Sequence, residues 1–157
     1  MNYDHYSKFN RRQSRQVNGL ARVLVDFYSK IEQAGETTSY HKQATGRVEQ
    51  SGLITRIRYD EDGLIPVKML LKADQLTILR GQQPRDYSLL RLQAGQSLPC
   101  SCTASGHKMD LVSQTERLVF AENRLTASYS LLNGAVLVGR YELKLLFNTQ
   151  PSMINKD

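Results

Sequence analysis

Four residues set a polar head on an otherwise apolar run. Arg80 alternates with Leu76 and Ile78, Tyr59 with Leu53 and Ile57, Tyr129 with Leu125 and Leu131, and Tyr141 with Leu143. Residues two apart on a strand share a face. If those faces point into a closed sheet, one guanidinium and three phenols line an apolar interior. A buried arginine needs a counter-charge or several acceptors, because isolated burial is very costly. A ligand carboxylate meets that need, with Arg and Tyr as the donors. The plainer reading is that Arg80 ends its strand, emerges at the rim and pairs with an acid such as Glu61. The sequence leaves both open.

Other constellations carry less. If Ser105-Gly106 is a two-residue turn, Cys102 faces Met109, Ala104 faces His107, and Cys100, Cys102, His107 and Met109 share one face. Two thiolates, an imidazole and a thioether suit Cu(I) or zinc by softness. Cys and Met are also ordinary core fillers, and that is the expectation, with no metal and no cofactor. The histidines, His5, His41 and His107, sit in unrelated contexts with no nucleophile-elbow sequence around them. Clustered carboxylates occur in Asp60-Glu61-Asp62, which a solvated turn explains. No catalytic constellation emerges, and the expectation is a protein that is not an enzyme.

Charge is uneven. The formal net charge is +6, and residues 1–16 supply half of it through Lys8, Arg11, Arg12 and Arg15 against Asp4. Tyr3, Tyr6 and Phe9 recur between these charges, as in a short amphipathic helix or an arm whose rings dock. Interleaved rings and cations could stack bases and neutralise phosphates of single-stranded RNA. Alternatively the arm covers the barrel or swaps onto a neighbouring subunit of a homodimer. Nucleic acid ranks below a small molecule as the expected partner.

These residues need a scaffold, and from about Val17 the chain alternates apolar and polar with period two, the signature of strands. The alternation is clearest in Leu137, Gly139, Tyr141, Leu143, Leu145 and Phe147, preceded by Leu125, Ala127, Tyr129 and Leu131. Asn133-Gly134 between them is a strong hairpin signal. Upstream strands are expected over 17–31, 37–50, about Leu53 to Tyr59, Ile65 to Leu71 and Leu76 to Arg80. Downstream they are expected over 87–93, 98–103, 107–114 and 117–120. Eight to ten short strands without a convincing helix predict an all-β meander that closes, or nearly closes, on itself, or else a sandwich; closure is favoured because a barrel removes exposed edges. The domain reading is a basic aromatic arm over 1–16, one barrel over 17–149 and a polar tail over 150–157.

Size and composition agree. A chain of 157 residues can bury one sufficient core without metal or disulfide. No apolar run approaches the ~20 residues that span a bilayer, and no apolar h-region follows Met1. A cytoplasmic location is the expectation. Cys100 and Cys102 are too close for an ordinary loop-closing disulfide and are read as reduced.

Several short motifs then point to a family. Gly46 through Gly52 to Arg56, Tyr59-Asp60-Glu61, Val67 to Lys72, Leu76 through Arg80 to Gly81, Gly106, Thr115 and Tyr129-Ser130-Leu131 resemble, in order and spacing, the YwiB-like family of bacterial proteins. The resemblance runs from about Val17 to Phe147. It implies a calycin-like, lipocalin-type barrel and transfers no activity or catalytic residue. Cys100 stands where the family suggests a tyrosine, and Leu92 where it suggests an aromatic. Secreted lipocalins carry a Gly-x-Trp motif in the first strand, and this chain has no tryptophan. The resulting expectation is a binding barrel that holds a small, partly apolar, anionic or amphipathic ligand through Arg80, Tyr59, Tyr129 and Tyr141. The alternative is a protein or RNA interaction module that uses Lys8, Arg11, Arg12, Arg15 and the barrel surface.

Overall fold

The structure is a computed structural model that describes residues 21–82 and 86–149. Ten strands follow one another: β1 (Ala21–Gln33), β2 (Glu36–Ser51), β3 (Ile54–Glu61), β4 (Ile65–Lys72), β5 (Gln75–Gln82), β6 (Asp86–Gln93), β7 (Ser97–Ala104), β8 (His107–Ala121), β9 (Arg124–Asn133) and β10 (Val136–Thr149). Each pairs antiparallel with the next, and β1 also pairs with β10, so the sheet closes into an up-and-down barrel. Closure leaves no edge strand unpaired, which is the stable solution for strands with one apolar face.

The period-two alternation translates directly into burial. Val23 and Val25, Ile57 and Tyr59, Val67 and Met69, Leu76 and Ile78, and Leu143, Leu145 and Phe147 all point inward and are buried. Ile57, Leu76, Leu92, Leu125 and Leu145 are fully excluded from water. The interior is therefore packed with side chains over much of its length, as in other narrow barrels. Phe120 and Phe147 stack there with ring centres 6.0 Å apart.

Two bulges revise the strand expectations. Residues 107–114 and 117–120 are parts of one strand, β8, whose register on β9 shifts between Thr115 and Arg117. Leu111, Ser113 and Thr115 face inward before the shift, and the even-numbered Leu118 and Phe120 pack on the core after it. The extra residue changes parity, which reads as a break in the sequence. A second shift, between Leu137 and Gly139, turns Leu137 outward, where it is 42% exposed. The adjoining turn is centred on Gly134-Ala135 rather than on Asn133-Gly134, with Asn133 paired to Val136. Positive φ falls on Gly134 alone, as in a type II′ turn, so the hairpin needs no left-handed asparagine. Leu53, expected on a buried face, sits in the β2–β3 turn and is 83% exposed.

The seam between β6 and β7 is irregular in a way that matters for the cysteines. These strands pair over Tyr87 to Leu89 against Ser101 to Thr103. Beyond Leu89 side chains take over: the Arg91 amide donates to Cys100 Sγ at 3.3 Å, and Ser113 Oγ donates to the Arg91 carbonyl at 2.6 Å. The β6–β7 loop is tied to the β8 bulge by Gly95 N to Thr115 O at 2.8 Å and Thr115 N to Gln96 O at 3.2 Å. Cys100 is thus a backbone acceptor in a parted seam, a role beyond that of core filler.

Candidate functional site

Strand polarity gathers the β1–β2, β3–β4, β5–β6, β7–β8 and β9–β10 connections at one end of the barrel. Just inside that end the packing leaves a cleft of about 130 Å³. Its floor is apolar, with Phe27, Met69, Ile78 and Leu143 among the lining residues; Tyr59 and Tyr129 add phenols to the lining, and Tyr40, Lys42, Glu61 and Arg80 stand toward the rim. The elements bring these groups together through register. Tyr59 on β3 opposes Val67 on β4, Val67 opposes Arg80 on β5, and Arg80 opposes Ser88 on β6.

Arg80 stands at the rim and donates from Nε to Glu61 Oε1 at 2.8 Å. Its side chain is 47% exposed, whereas that of Glu61 is 12% exposed. The Glu61 hydrogen bond raises the guanidinium pKa further above its ordinary value. A guanidinium carries five N–H donors, and Glu61 occupies one of them, so the terminal nitrogens remain available beside the cleft. Glu61 is therefore not merely part of a solvated acidic turn. The neighbouring Asp62 accepts from Lys42 Nζ at 3.1 and 3.3 Å, closing the rim between β2 and the β3–β4 turn.

Two phenols face the same space. Burial pushes Tyr59 well above the usual phenol range, reinforced by the Glu61 carboxylate. Burial does the same for Tyr129, with Tyr141 adding to it. Both remain neutral O–H donors at any physiological pH. Tyr59 seats against Gly46, its register partner. A Cβ at Gly46 would lie 2.5 Å from the Arg58 carbonyl oxygen and 3.0 Å from Tyr59 Cβ, so only glycine admits this approach. On the far side of the Arg80 strand end, Gly81 has φ +96°, and a Cβ there would meet the Asp86 carbonyl at 2.0 Å.

Three of the four candidate residues thus meet at one cleft. The fourth, Tyr141, does not line it. Its ring stacks on Tyr129 at 5.0 Å and 7°, and its hydroxyl accepts from Gln33 Nε2 at 3.2 Å, so it braces Tyr129 from behind. Tyr40 and Lys42 line the cleft and were not among the sequence candidates. They lie in the polar run Glu36 to Thr45, whose inward face is revealed by the pairs Ser29–Tyr40 and Phe27–Lys42. Their i, i+2 spacing was the available signal.

The Ser105-Gly106 turn forms as expected: Cys102 pairs with Met109 and Ala104 with His107, which keeps Cys100, Cys102, His107 and Met109 on one face, with His107 and Met109 exposed and Cys100 buried in the seam. Among the described residues no group of three or more His, Cys, Asp or Glu side chains is arranged to hold a metal ion. Lys8, Arg11, Arg12 and Arg15, like the proposed arm and tail, lie outside the described residues. No described helix is long and apolar enough to cross a membrane.

A family model described as a domain of unknown function, DUF1934, matches residues 25–145. The chain belongs to that family. Its barrel resembles the crystal structure of the YwiB protein from Bacillus subtilis, with a TM-score of 0.67 at 16% identity, covering 87% of this chain and 99% of that one. At that identity the likeness establishes the fold. No curated protein matches the chain at a significant level. All the cleft residues fall inside the stretch matched to DUF1934, so the candidate site belongs to the family domain rather than to the chain's ends.

Proposed function

We propose that this DUF1934 barrel is a non-catalytic, calycin-type binding protein that takes a small molecule with a compact anionic head and a short apolar body. The observation that carries the reading is the pairing of Arg80, Tyr59 and Tyr129 with an apolar floor in one cleft. A carboxylate entering there would meet a guanidinium with free terminal donors and two neutral phenols. The size of the space limits the class. Ligand pockets usually occupy roughly 300–1,000 Å³, and this cleft has about 130 Å³ above a filled interior. It suits a short-chain, branched or aromatic acid better than a long fatty acid, whose tail would find no further room.

A titration tests this. Carboxylates of increasing chain length, from acetate to palmitate, would be titrated calorimetrically into the wild type, Arg80→Met and Tyr129→Phe. The expected result is an affinity that peaks at short or branched acids and falls roughly ten- to hundredfold in Arg80→Met, as the loss of about 1.5 to 3 kcal/mol of charge-assisted bonding implies. Equal affinities in wild type and Arg80→Met, or no binding by any of the three, would reject the site.

A further inference from the structure

The outer face of the barrel carries a feature that the cleft does not use. Arg22 on β1 is in register with Arg47 on β2, Arg47 with Arg58 on β3, and Arg58 with Lys68 on β4. Four cations therefore stand side by side across four adjacent strands, all exposed and all on the wall of one shallow groove of about 340 Å³. None of the four makes an ion pair among the described residues. Among the described residues Asp60 is the single carboxylate lining the groove, and Glu49, one row along, opposes Arg56.

Like charges placed directly opposite on neighbouring strands repel each other. Elsewhere the same sheet sets opposite charges across its strands, as in Glu32 opposite Arg140, 3.8 Å apart. Three consecutive like-charge pairings give the fold nothing, and a partner of opposite sign would relieve them. Strands lie about 4.8 Å apart, so the row extends for roughly 14 Å. A single phosphate or carboxylate would engage at most two of its members. A chain of successive phosphates would engage all four, and the three arginines present the planar fork suited to phosphate oxygens.

We propose that this row binds the phosphate backbone of a nucleic acid strand, without sequence preference. Its uncharged groove neighbours are Thr45, Gly46, Tyr59, Pro66 and Val67; Tyr59 is buried in the core, so among the described residues no exposed aromatic ring lines the groove as a stacking platform for bases. The contacts are therefore of the positioning kind, which carry no sequence information.

The test uses the full-length chain and a fluorescein-labelled 20-nucleotide RNA of mixed sequence, followed by anisotropy across a salt series. A DNA duplex and phosphatidylserine vesicles serve as parallel probes. Arg47→Gln/Arg58→Gln removes two contacts, so the slope of log affinity against log salt should become shallower by about 1.4, and affinity near 0.1 M salt should fall on the order of twentyfold. Lys108→Gln/Arg124→Gln, an equal charge loss on β8 and β9, should leave the slope unchanged. The row variant relieves repulsion, so its urea midpoint should equal or exceed that of the wild type, which separates lost binding from lost folding. The proposal is overturned if the wild type does not bind, if both variants lose affinity equally, or if the row variant loses vesicles while keeping RNA and duplex. Loss confined to either RNA or duplex would assign the strand type within the same proposal.

Discussion

Arg80 and Glu61 hold the rim together with unequal exposure, 47% against 12%. Water screens the arginine, so the pair adds little as a surface bridge. Removing the arginine alone is worse, because it leaves a largely buried carboxylate without its donor. Arg80→Met should therefore destabilise the empty protein by about 1 kcal/mol, and adding Glu61→Gln should recover most of that, a coupling that a urea double-mutant cycle reads directly. Additive effects would mean that the pair is not formed in solution. On the outer face, Asp26 accepts from Gln43 at 2.6 Å and from His41 at 2.8 Å, and these bonds hold its carboxyl below the usual carboxylate range. A carboxyl depressed in this way contributes stability above its unfolded value of about 3.9, and that contribution is lost as pH falls through the folded value. Wild type should thus be more stable than Asp26→Asn at neutral pH, with the two converging below about pH 4 in urea melts. A pH-independent difference would assign the effect to packing instead.

At the scale of strands, the alternation of types predicted nearly every β-element, because each strand buries one face and wets the other. It failed where backbone, not side-chain pattern, decides. The β8 bulge hides a single strand behind a change of parity, and the β10 bulge moves the turn by one residue and exposes Leu137. The cleft was half legible. Arg80, Tyr59 and Tyr129 stand out as polar heads on apolar faces, whereas Tyr40 and Lys42 lie in a polar run where Ala44 alone hints at which face is inside. The cation row was not legible at all, since it exists only once four strands are in register. The parted β6–β7 seam was equally invisible. Ser113, fully buried, donates to the Arg91 carbonyl there, so Ser113→Ala should cost about 1 to 3 kcal/mol by leaving that acceptor only the weak Cys100 Sγ donor at 3.6 Å. Thr115 offers the opposite case. Its hydroxyl is buried with no partner among the described residues, so Thr115→Val should be neutral or stabilising by about 1 kcal/mol in the same assay.

For the molecule as a whole, closure makes the strands interdependent. β1 and β10, the first and last of the described strands, are joined by ten registered pairs from Val23–Thr149 to Glu32–Arg140. No strand can leave without opening two seams, and side chains from every strand except β7 contribute to or pack against one core cluster. Phe147 sits at the closing seam, 2% exposed, opposite Val25 and stacked on Phe120. Truncating it removes packing from three strands at once, and Phe147→Ala should cost about 3 to 5 kcal/mol. Against a total stability on the order of 5 to 15 kcal/mol, that is a large fraction, and its distribution is the informative part. In a cooperative barrel, hydrogen exchange should accelerate by a similar factor on the opposite wall, at Ile57 and Met69, as at Val25 and Leu145, because their amides exchange through the same global opening. If protection fell only in β1, β9 and β10 while β3 to β6 kept theirs, the barrel would consist of two separately stable halves. The cleft would then lie across their boundary, since Phe27 and Leu143 line one side of it and Met69 and Ile78 the other.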